Sequence, residues 1–171
     1  MRDLHVPGQP HVERVLVTAL ASPRHAYLLH GPPGTGKEEA ARAFAAALLD
    51  APRRRIDDES HPDLAVVDAE GERIAIDDVR DLAADAHLRP FEAARRVYLV
   101  REAERLEGDA AHAILKLLEE PPPYVVFLLV CNRRERLLDT VASRCQALRF
   151  RPLPVRDVLD LLVGDGLAPA A

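Results

Sequence analysis

Short apolar runs alternate with longer segments of helical periodicity along most of the chain. The apolar runs, which are bounded by turn-forming residues, predict five strands at 26–29, 64–67, 97–100, 125–131 and 148–150. Segments with a helical apolar stripe, or rich in helix formers, predict helices at 10–20, 36–49, 76–88, 109–119 and 154–163. The polar stretch at 50–61 is typical of an exposed connection.

The order of these elements predicts a parallel sheet. Strands that are separated by helices need crossover connections, and such connections join parallel strands. The run at 125–131 is apolar without interruption, as expected of a strand that is covered on both faces. We therefore expect an α/β protein, a three-layer sandwich around a five-stranded parallel sheet. A length of 171 residues suits one domain with a short appendage.

Composition and charge reduce the number of functions that the chain could have. Hydrophobic residues make up 48% of the chain and charged residues 30%, which is ordinary for a globular protein. The net charge of -5 argues against a surface that grips nucleic acid as a whole, although helix N-termini could still contact phosphates locally. The chain has no tryptophan and only 4% aromatic residues, which argues against a stacking platform for single-stranded bases.

Hydropathy and cysteine content point to a soluble cytoplasmic protein. The most apolar run, 125–131, is too short to span a bilayer, and the N-terminus lacks the apolar core of a signal peptide. The two cysteines, Cys131 and Cys145, cannot form a four-ligand zinc site. We expect both to be reduced and to pack rather than react.

A candidate phosphate loop lies between the first strand and the second helix. Its residues are Gly31, Pro32, Pro33, Gly34, Thr35, Gly36 and Lys37. Glycines let backbone amides turn toward a phosphate, the helix N-terminus adds positive potential, and the lysine reaches the outer phosphates. Lys37 and Lys116 are the only lysines among 23 basic residues, so a lysine retained here stands out. The competing interpretation is a glycine-rich turn that binds nothing.

Both positions expected to hold magnesium carry unsuitable residues. A working loop has Ser or Thr after the lysine, because that hydroxyl ligates the metal. Here Glu38 follows, and Glu39 comes next. The third strand should end in a metal-binding aspartate, but Arg101 stands there, followed by Glu102, either a relic base or a solvated glutamate. We expect no ATP hydrolysis, although ATP, ADP or phosphate could bind without magnesium.

Several motifs together resemble one family. They are the phosphate loop, His61-Pro62-Asp63, the strand and turn at 97–106, Leu115-Lys116-Leu117-Leu118-Glu119-Glu120-Pro121-Pro122 and Ser143-Arg144-Cys145. In this order and spacing they resemble the bacterial DNA polymerase III clamp-loader subunits, which are AAA+ proteins. The resemblance implies a P-loop NTPase/AAA+ core over 1–152. It also implies the start of a helical lid over 153–171. In the family the rest of the lid and a helical collar follow, and this sequence stops before them, either as a fragment or as a shortened protein.

Within this family the sequence resembles delta prime more than the ATP-hydrolysing gamma/tau subunit. His61-Pro62-Asp63, the run from Glu102 to Arg105 and the altered magnesium positions favour delta prime. That implies a stator with gamma/tau and delta as partners, and with the sliding clamp and primer-template DNA contacted indirectly. The alternative is an active gamma/tau-like ATPase in which Glu38 itself touches magnesium. A small P-loop kinase fits less well, because neither an acceptor site nor lid arginines are evident.

The resemblance also implies roles for single residues. Arg144 would be an arginine finger that reaches the ATP of a neighbouring gamma/tau subunit, although the same residue could be one more surface arginine. Asn132, after the fourth strand, is the sensor candidate. Lys116 is expected on a solvated helix face. The family's four-cysteine zinc module falls at 50–60, where this sequence has no cysteine, so we expect neither zinc nor magnesium to be bound.

Overall fold

The computed structural model describes residues 4–69 and 71–153, and its centre is a parallel sheet. The strands are β1 (Ala26–His30), β2 (Leu64–Val67), β3 (Arg96–Val100), β4 (Val125–Cys131) and β5 (Gln146–Arg149). They are ordered β2-β3-β4-β1-β5, and every neighbouring pair is parallel. The five-stranded parallel sheet is thus confirmed. The helix predicted at 154–163, and with it the expected lid, lies outside the described residues.

Helices cover both faces of the sheet. They are α1 (Pro10–Ala19), α2 (Lys37–Leu48), α3 (Arg53–Asp57), α4 (Ile76–Ala86), α5 (Gly108–Glu119) and α6 (Asp139–Ala142). Buried residues of α1, α2 and α3 share one apolar core with one face of the sheet. Buried residues of α4, α5 and α6 share a second core with the other face. The predicted three-layer α/β sandwich is therefore confirmed.

Strand β4 shows why the two cores form. All seven of its residues are buried, and it lies between β3 and β1. Successive strand side chains point to opposite faces, so Val126 and Leu128 enter the core under α1 and α2. Phe127 and Leu129 enter the core under α4 and α5. The uninterrupted apolar run thus reflects burial on both faces, as predicted.

Two local predictions were wrong. The stretch 50–61 was expected to be an exposed connection, but it contains the short helix α3, whose Ile56 is fully buried. A single apolar residue among charged neighbours leaves no periodic signal that would reveal such a helix. The last strand covers Gln146–Arg149 rather than 148–150. Among the described residues it is an edge strand that pairs with β1 alone, and its alternating polar residues obscured its start.

The carboxyl ends of β3, β4 and β1 lie side by side, which creates the crevice where ligands bind in open α/β sheets. The phosphate loop leaves β1 at this edge. Its first residue, Gly31, has φ 149°, and a Cβ there would lie 2.4 Å from the carbonyl oxygen of Phe150. Only glycine allows the chain to leave the sheet this close to its neighbour.

Candidate functional site

A cavity of about 420 Å³ opens at this edge of the sheet. Its lining comes from the phosphate loop, from the start of α2 and from the ends of the central strands. The lining residues are Pro33, Gly34, Gly36, Lys37, Glu38, Glu39, Asp68, Arg101, Glu102, Val130 and Asn132. The structure therefore brings together most of the site residues predicted from the sequence. Gly31 and Thr35 belong to the same loop but do not line the cavity, and Arg144 lies elsewhere.

The backbone of the loop has the geometry of a phosphate cradle. Gly34 and Gly36 have φ values of 73° and 80°, in the left-handed region that other residues avoid. Gly36 is the N-cap of α2, and as a glycine it has no side chain with which to cap that helix end. Amides at the start of the helix are consequently available to an anion, and the helix dipole favours negative charge there.

Lys37 is turned into its own loop. Its Nζ donates to the carbonyl oxygen of Pro32 at 2.5 Å, and the hydroxyl of Thr35 donates to the same oxygen at 2.8 Å. The lysine is 4% exposed. Burial lowers its pKa, and the nearby carboxylate of Glu104 opposes that shift. The side chain expected to reach outer phosphates is therefore already bound to protein.

The two altered magnesium positions contact each other. Nη1 of Arg101 donates to Oε1 of Glu38 at 3.0 Å. Nε and Nη2 of the same guanidinium donate to the carboxylate of Asp68. The hydrogen bonds from Asp68 and Glu38 raise the pKa of Arg101 further above its normal value, which keeps it charged at any ordinary pH.

A second arginine extends this cluster to α3. Arg42, with only 11% of its side chain exposed, lies 2.8 Å from Glu59 and 3.2 Å from Glu38. Its Nη1 also donates to the carbonyl oxygen of Ile56 at 2.9 Å. Burial opposes the charge, but the two carboxylates outweigh it and raise the pKa of Arg42. Helix α3, which the sequence analysis missed, is thereby tied to the rim of the cavity.

Magnesium does not fit this arrangement. Magnesium prefers carboxylate and water oxygens in an octahedral shell, but Oε1 of Glu38 and both carboxylate oxygens of Asp68 are already paired with Arg101. A divalent cation there would also lie beside a guanidinium that cannot lose its proton. Over residues 4–69 and 71–153, no group of three or more His, Cys, Asp and Glu side chains is placed to hold a metal ion.

Two glutamates follow β3 in the chain, and they differ in burial. Glu102, singled out from the sequence, is in a left-handed turn with φ 47°, and its side chain pairs with Arg105 at 3.0 Å. The buried carboxylate is that of Glu104, which is 8% exposed. Both of its oxygens accept the N–H of Asn132, at 3.1 and 3.2 Å. Sequence reasoning did not single out Glu104, which lies two residues beyond Glu102.

Asn132 and the cysteines lie where the sequence places them. Asn132 follows β4 and lines the cavity. Burial and the nearby Glu104 raise the pKa of the Cys131 thiol to about 12, and burial raises the pKa of Cys145 to about 12. Both are free cysteines, and the thiols stay protonated and poorly nucleophilic at neutral pH.

The remaining motifs lie outside the cavity. Asp63 is almost fully buried and accepts the backbone N–H groups of Phe91, Glu92 and Ala93 at 2.5, 2.9 and 2.8 Å. His61-Pro62-Asp63 thus fixes the loop before β3. Lys116 is exposed in a groove between α4 and α5, as predicted.

Arg144 follows α6 at the surface, with about a third of its side chain exposed. Its Nη2 donates to Oε1 of Glu119 at 2.6 Å, and its Nη1 donates to the carbonyl oxygen of Thr140 at 2.7 Å. The Ser-Arg-Cys motif therefore contacts the motif that ends α5.

Within the described part of the chain, no helix is long and apolar enough to cross a membrane.

Comparison with known sequences gives consistent matches. A family model described as "DNA polymerase III, delta subunit" matches residues 8–154. The chain is 32% identical to DNA polymerase III subunit delta' of Bacillus subtilis, over 94% of the chain and 53% of that protein. It is 34% identical to the tau subunit of the same organism, over 85% of the chain and 28% of that protein. The chain spans about half the length of the delta' relative.

Solved structures show the same fold. A DNA polymerase III gamma subunit-related protein from Thermotoga maritima superposes with a TM-score of 0.72 at 28% identity. The match covers 91% of this chain and 53% of that one. RuvB from the same organism superposes with a TM-score of 0.66 at 21% identity, over 91% of this chain and 49% of that one. The AAA+ P-loop fold expected from the sequence is confirmed.

Proposed function

This chain belongs to the DNA polymerase III delta subunit family, and we propose that it acts as a delta prime-like stator of a clamp loader, without hydrolysing ATP itself. The observation that carries the proposal is the ion pair between Arg101 and Glu38, which joins both positions that would hold magnesium. Phosphoryl transfer at a loop of this type depends on a metal that bridges the outer phosphates and neutralises developing charge. The guanidinium of Arg101 can only donate hydrogen bonds, so it cannot coordinate phosphate and water oxygens in the way a metal ion does.

The charge of the cavity adds to this argument. Four carboxylates line it, those of Glu38, Glu39, Asp68 and Glu102, against the two cations Lys37 and Arg101. Both cations already have protein partners. A triphosphate would enter a cavity of net negative lining and would have to displace those partners, so binding in the manner of an active ATPase is disfavoured.

Arg144 supports the proposed action on a neighbouring subunit. It stands in an intact Ser-Arg-Cys motif, at the surface and away from the chain's own cavity. A planar, permanently charged guanidinium suits the phosphate oxygens of an ATP on an adjacent subunit. The partners we propose are gamma/tau and delta, with the sliding clamp and primer-template DNA engaged through the assembled loader in the cytoplasm.

The test of this role is Arg144→Ala in the reconstituted clamp loader. A finger contributes about a thousandfold or more to the rate at its site, so the variant should remove the neighbouring site's share of the DNA-stimulated ATPase. The matched control is Arg14→Ala, an exposed arginine on α1, which should leave the rate unchanged. Wild-type ATPase in a loader that has incorporated the Arg144→Ala subunit would refute the finger.

The alternative function is an active ATPase of the gamma/tau kind. The identity of 34% with Bacillus subtilis tau and the left-handed backbone of Gly34 and Gly36, which suits a phosphate cradle, favour it. It requires Glu38 to leave Arg101 and ligate magnesium. Nucleotide binding that strengthens with magnesium would support this alternative, whereas binding that is indifferent to magnesium supports the stator.

A further inference from the structure

Two motifs that are 25 residues apart in sequence meet at one contact. Glu119 is the last residue of α5, and Arg144 follows α6. Nη2 of the arginine lies 2.6 Å from Oε1 of the glutamate, and Nη1 lies 2.7 Å from the carbonyl oxygen of Thr140. One end of the guanidinium is thus held by a carboxylate and the other by the backbone of its own element.

We propose that Glu119 is the positioning residue for Arg144, and that it holds the guanidinium in the orientation in which it meets a phosphate of the adjacent subunit. This inference rests on the proposed function. A guanidinium has five N–H groups in a rigid plane, and the two contacts engage one hydrogen on each terminal nitrogen. The Nε hydrogen and the second hydrogen on each terminal nitrogen stay available to phosphate oxygens.

The elements that carry the two residues are fixed by packing. Leu118, next to Glu119, and Val141, in the turn before Arg144, belong to the same buried core. Pro121 and Pro122 follow Glu120 and cannot continue α5, so the helix ends where its last carboxylate can reach α6. A contact between two rigid elements restricts the arginine more than a contact within one mobile loop would.

The same contact contributes little to folding. The side chains of Arg144 and Glu119 are 34% and 45% exposed, and solvent screens a pair of this kind. A merely structural role therefore predicts no measurable consequence when Glu119 is changed. A positioning role predicts a loss of turnover without a loss of stability, because orientation of the reacting groups contributes directly to the rate.

The experiment compares Glu119→Ala, Glu119→Gln and Glu120→Ala in the reconstituted loader. Glu119→Ala should lower the kcat of the adjacent ATP site on the order of tenfold, below the hundredfold that a misplacement of about 1 Å can cause. The KM for ATP and the Tm of the chain should not change. Glu119→Gln should be intermediate, because its amide oxygen still accepts a hydrogen bond. Glu120→Ala removes the neighbouring carboxylate and should behave as wild type.

Combination with Arg144→Ala separates the two proposals. If Glu119 acts through Arg144, adding Glu119→Ala to Arg144→Ala should cause no further loss. A normal kcat for Glu119→Ala, alongside a reduced one for Arg144→Ala, would overturn the positioning role and leave the finger intact. An equal effect of Glu119→Ala with and without Arg144 would overturn it as well. A normal kcat for Arg144→Ala would instead remove the proposed function and this inference together.

Discussion

Arg101 donates from Nη1 to Oε1 of Glu38 at 3.0 Å, across 63 residues of sequence. Neither residue suits a metal-dependent phosphate loop. Arg101 brings a cation to the metal position, and Glu38 replaces the hydroxyl that would ligate the metal. Together they form a complementary pair. The pair places a permanent positive charge at the position where an active relative would need a divalent cation.

The pair also explains why the two changes are compatible with folding. Glu38 beside an aspartate at position 101 would add to the carboxylates of Asp68 and Glu59, which lie within reach of the same guanidinium. Arg101 beside a hydroxyl at position 38 would lose one of its partners. We therefore regard the two positions as one coupled substitution.

The first prediction reverses this coupled substitution. We expect the double change Glu38→Thr with Arg101→Asp to create magnesium-dependent nucleotide binding, because it restores a hydroxyl and a carboxylate ligand. Neither single change should create this binding. Glu38→Thr leaves the positive charge of Arg101 at the metal position, and Arg101→Asp leaves the carboxylates around position 101 without their cation. Calorimetric titration with ADP, with magnesium and with EDTA, provides the measurement.

The control for this prediction is the folded state of each variant, measured as its thermal midpoint. A double variant that unfolds near the wild-type temperature and still shows no magnesium-dependent binding would mean that the ion pair is not what excludes the metal. The same double change combined with Lys37→Ala should lose the new binding, since the lysine is then needed for the outer phosphates.

The fold could be anticipated from the sequence because its strongest signals are local. The run at Val125–Cys131 and the stripe of α1 each report burial directly. Helix α3 could not be anticipated, because its stability comes from Ile56 in the core and from ion pairs with distant residues. Tertiary contacts of this kind have no counterpart in a window of neighbouring residues.

The candidate site was likewise predictable only in part. Motif spacing identifies the phosphate loop and positions 38 and 101, so it could be predicted that they share one cavity. Their ion pair could not, because nothing in the sequence places a guanidinium against a particular carboxylate. Glu104 was missed for a related reason: its burial depends on how the turn after β3 packs beneath Asn132.

The second prediction concerns Asp63 and pH. Burial raises the pKa of this carboxyl, but the backbone donors of Phe91, Ala93 and Glu92 outweigh it, so its pKa lies below the usual value. A depressed pKa stabilises the fold above the unfolded-state value of about 3.9, and that contribution is lost as pH falls through the folded-state pKa. We expect Asp63→Asn to lower the free energy of unfolding by about 1–3 kcal/mol at pH 7.

The measurement is urea unfolding of wild type and Asp63→Asn at pH values from 7 down to 3. The difference between them should shrink below about pH 4, as the wild-type carboxylate becomes protonated. Asp58→Asn, which changes an exposed aspartate that pairs with the exposed Arg54, should stay within about 0.5 kcal/mol of wild type. A pH-independent difference for Asp63→Asn would show that the charge of the carboxylate does not hold the loop.

Whether the cavity excludes magnesium can be decided by a calorimetric titration of the wild-type protein with ATP, once with magnesium and once with EDTA, followed by a phosphate-release assay. Because Arg101 and Glu38 pair where the metal would bind, the affinity should be no tighter with magnesium than without it, and no phosphate should be released. Affinity that rises at least tenfold with magnesium, together with phosphate release that Lys37→Ala abolishes, would show instead that the cavity is a magnesium-dependent ATPase site.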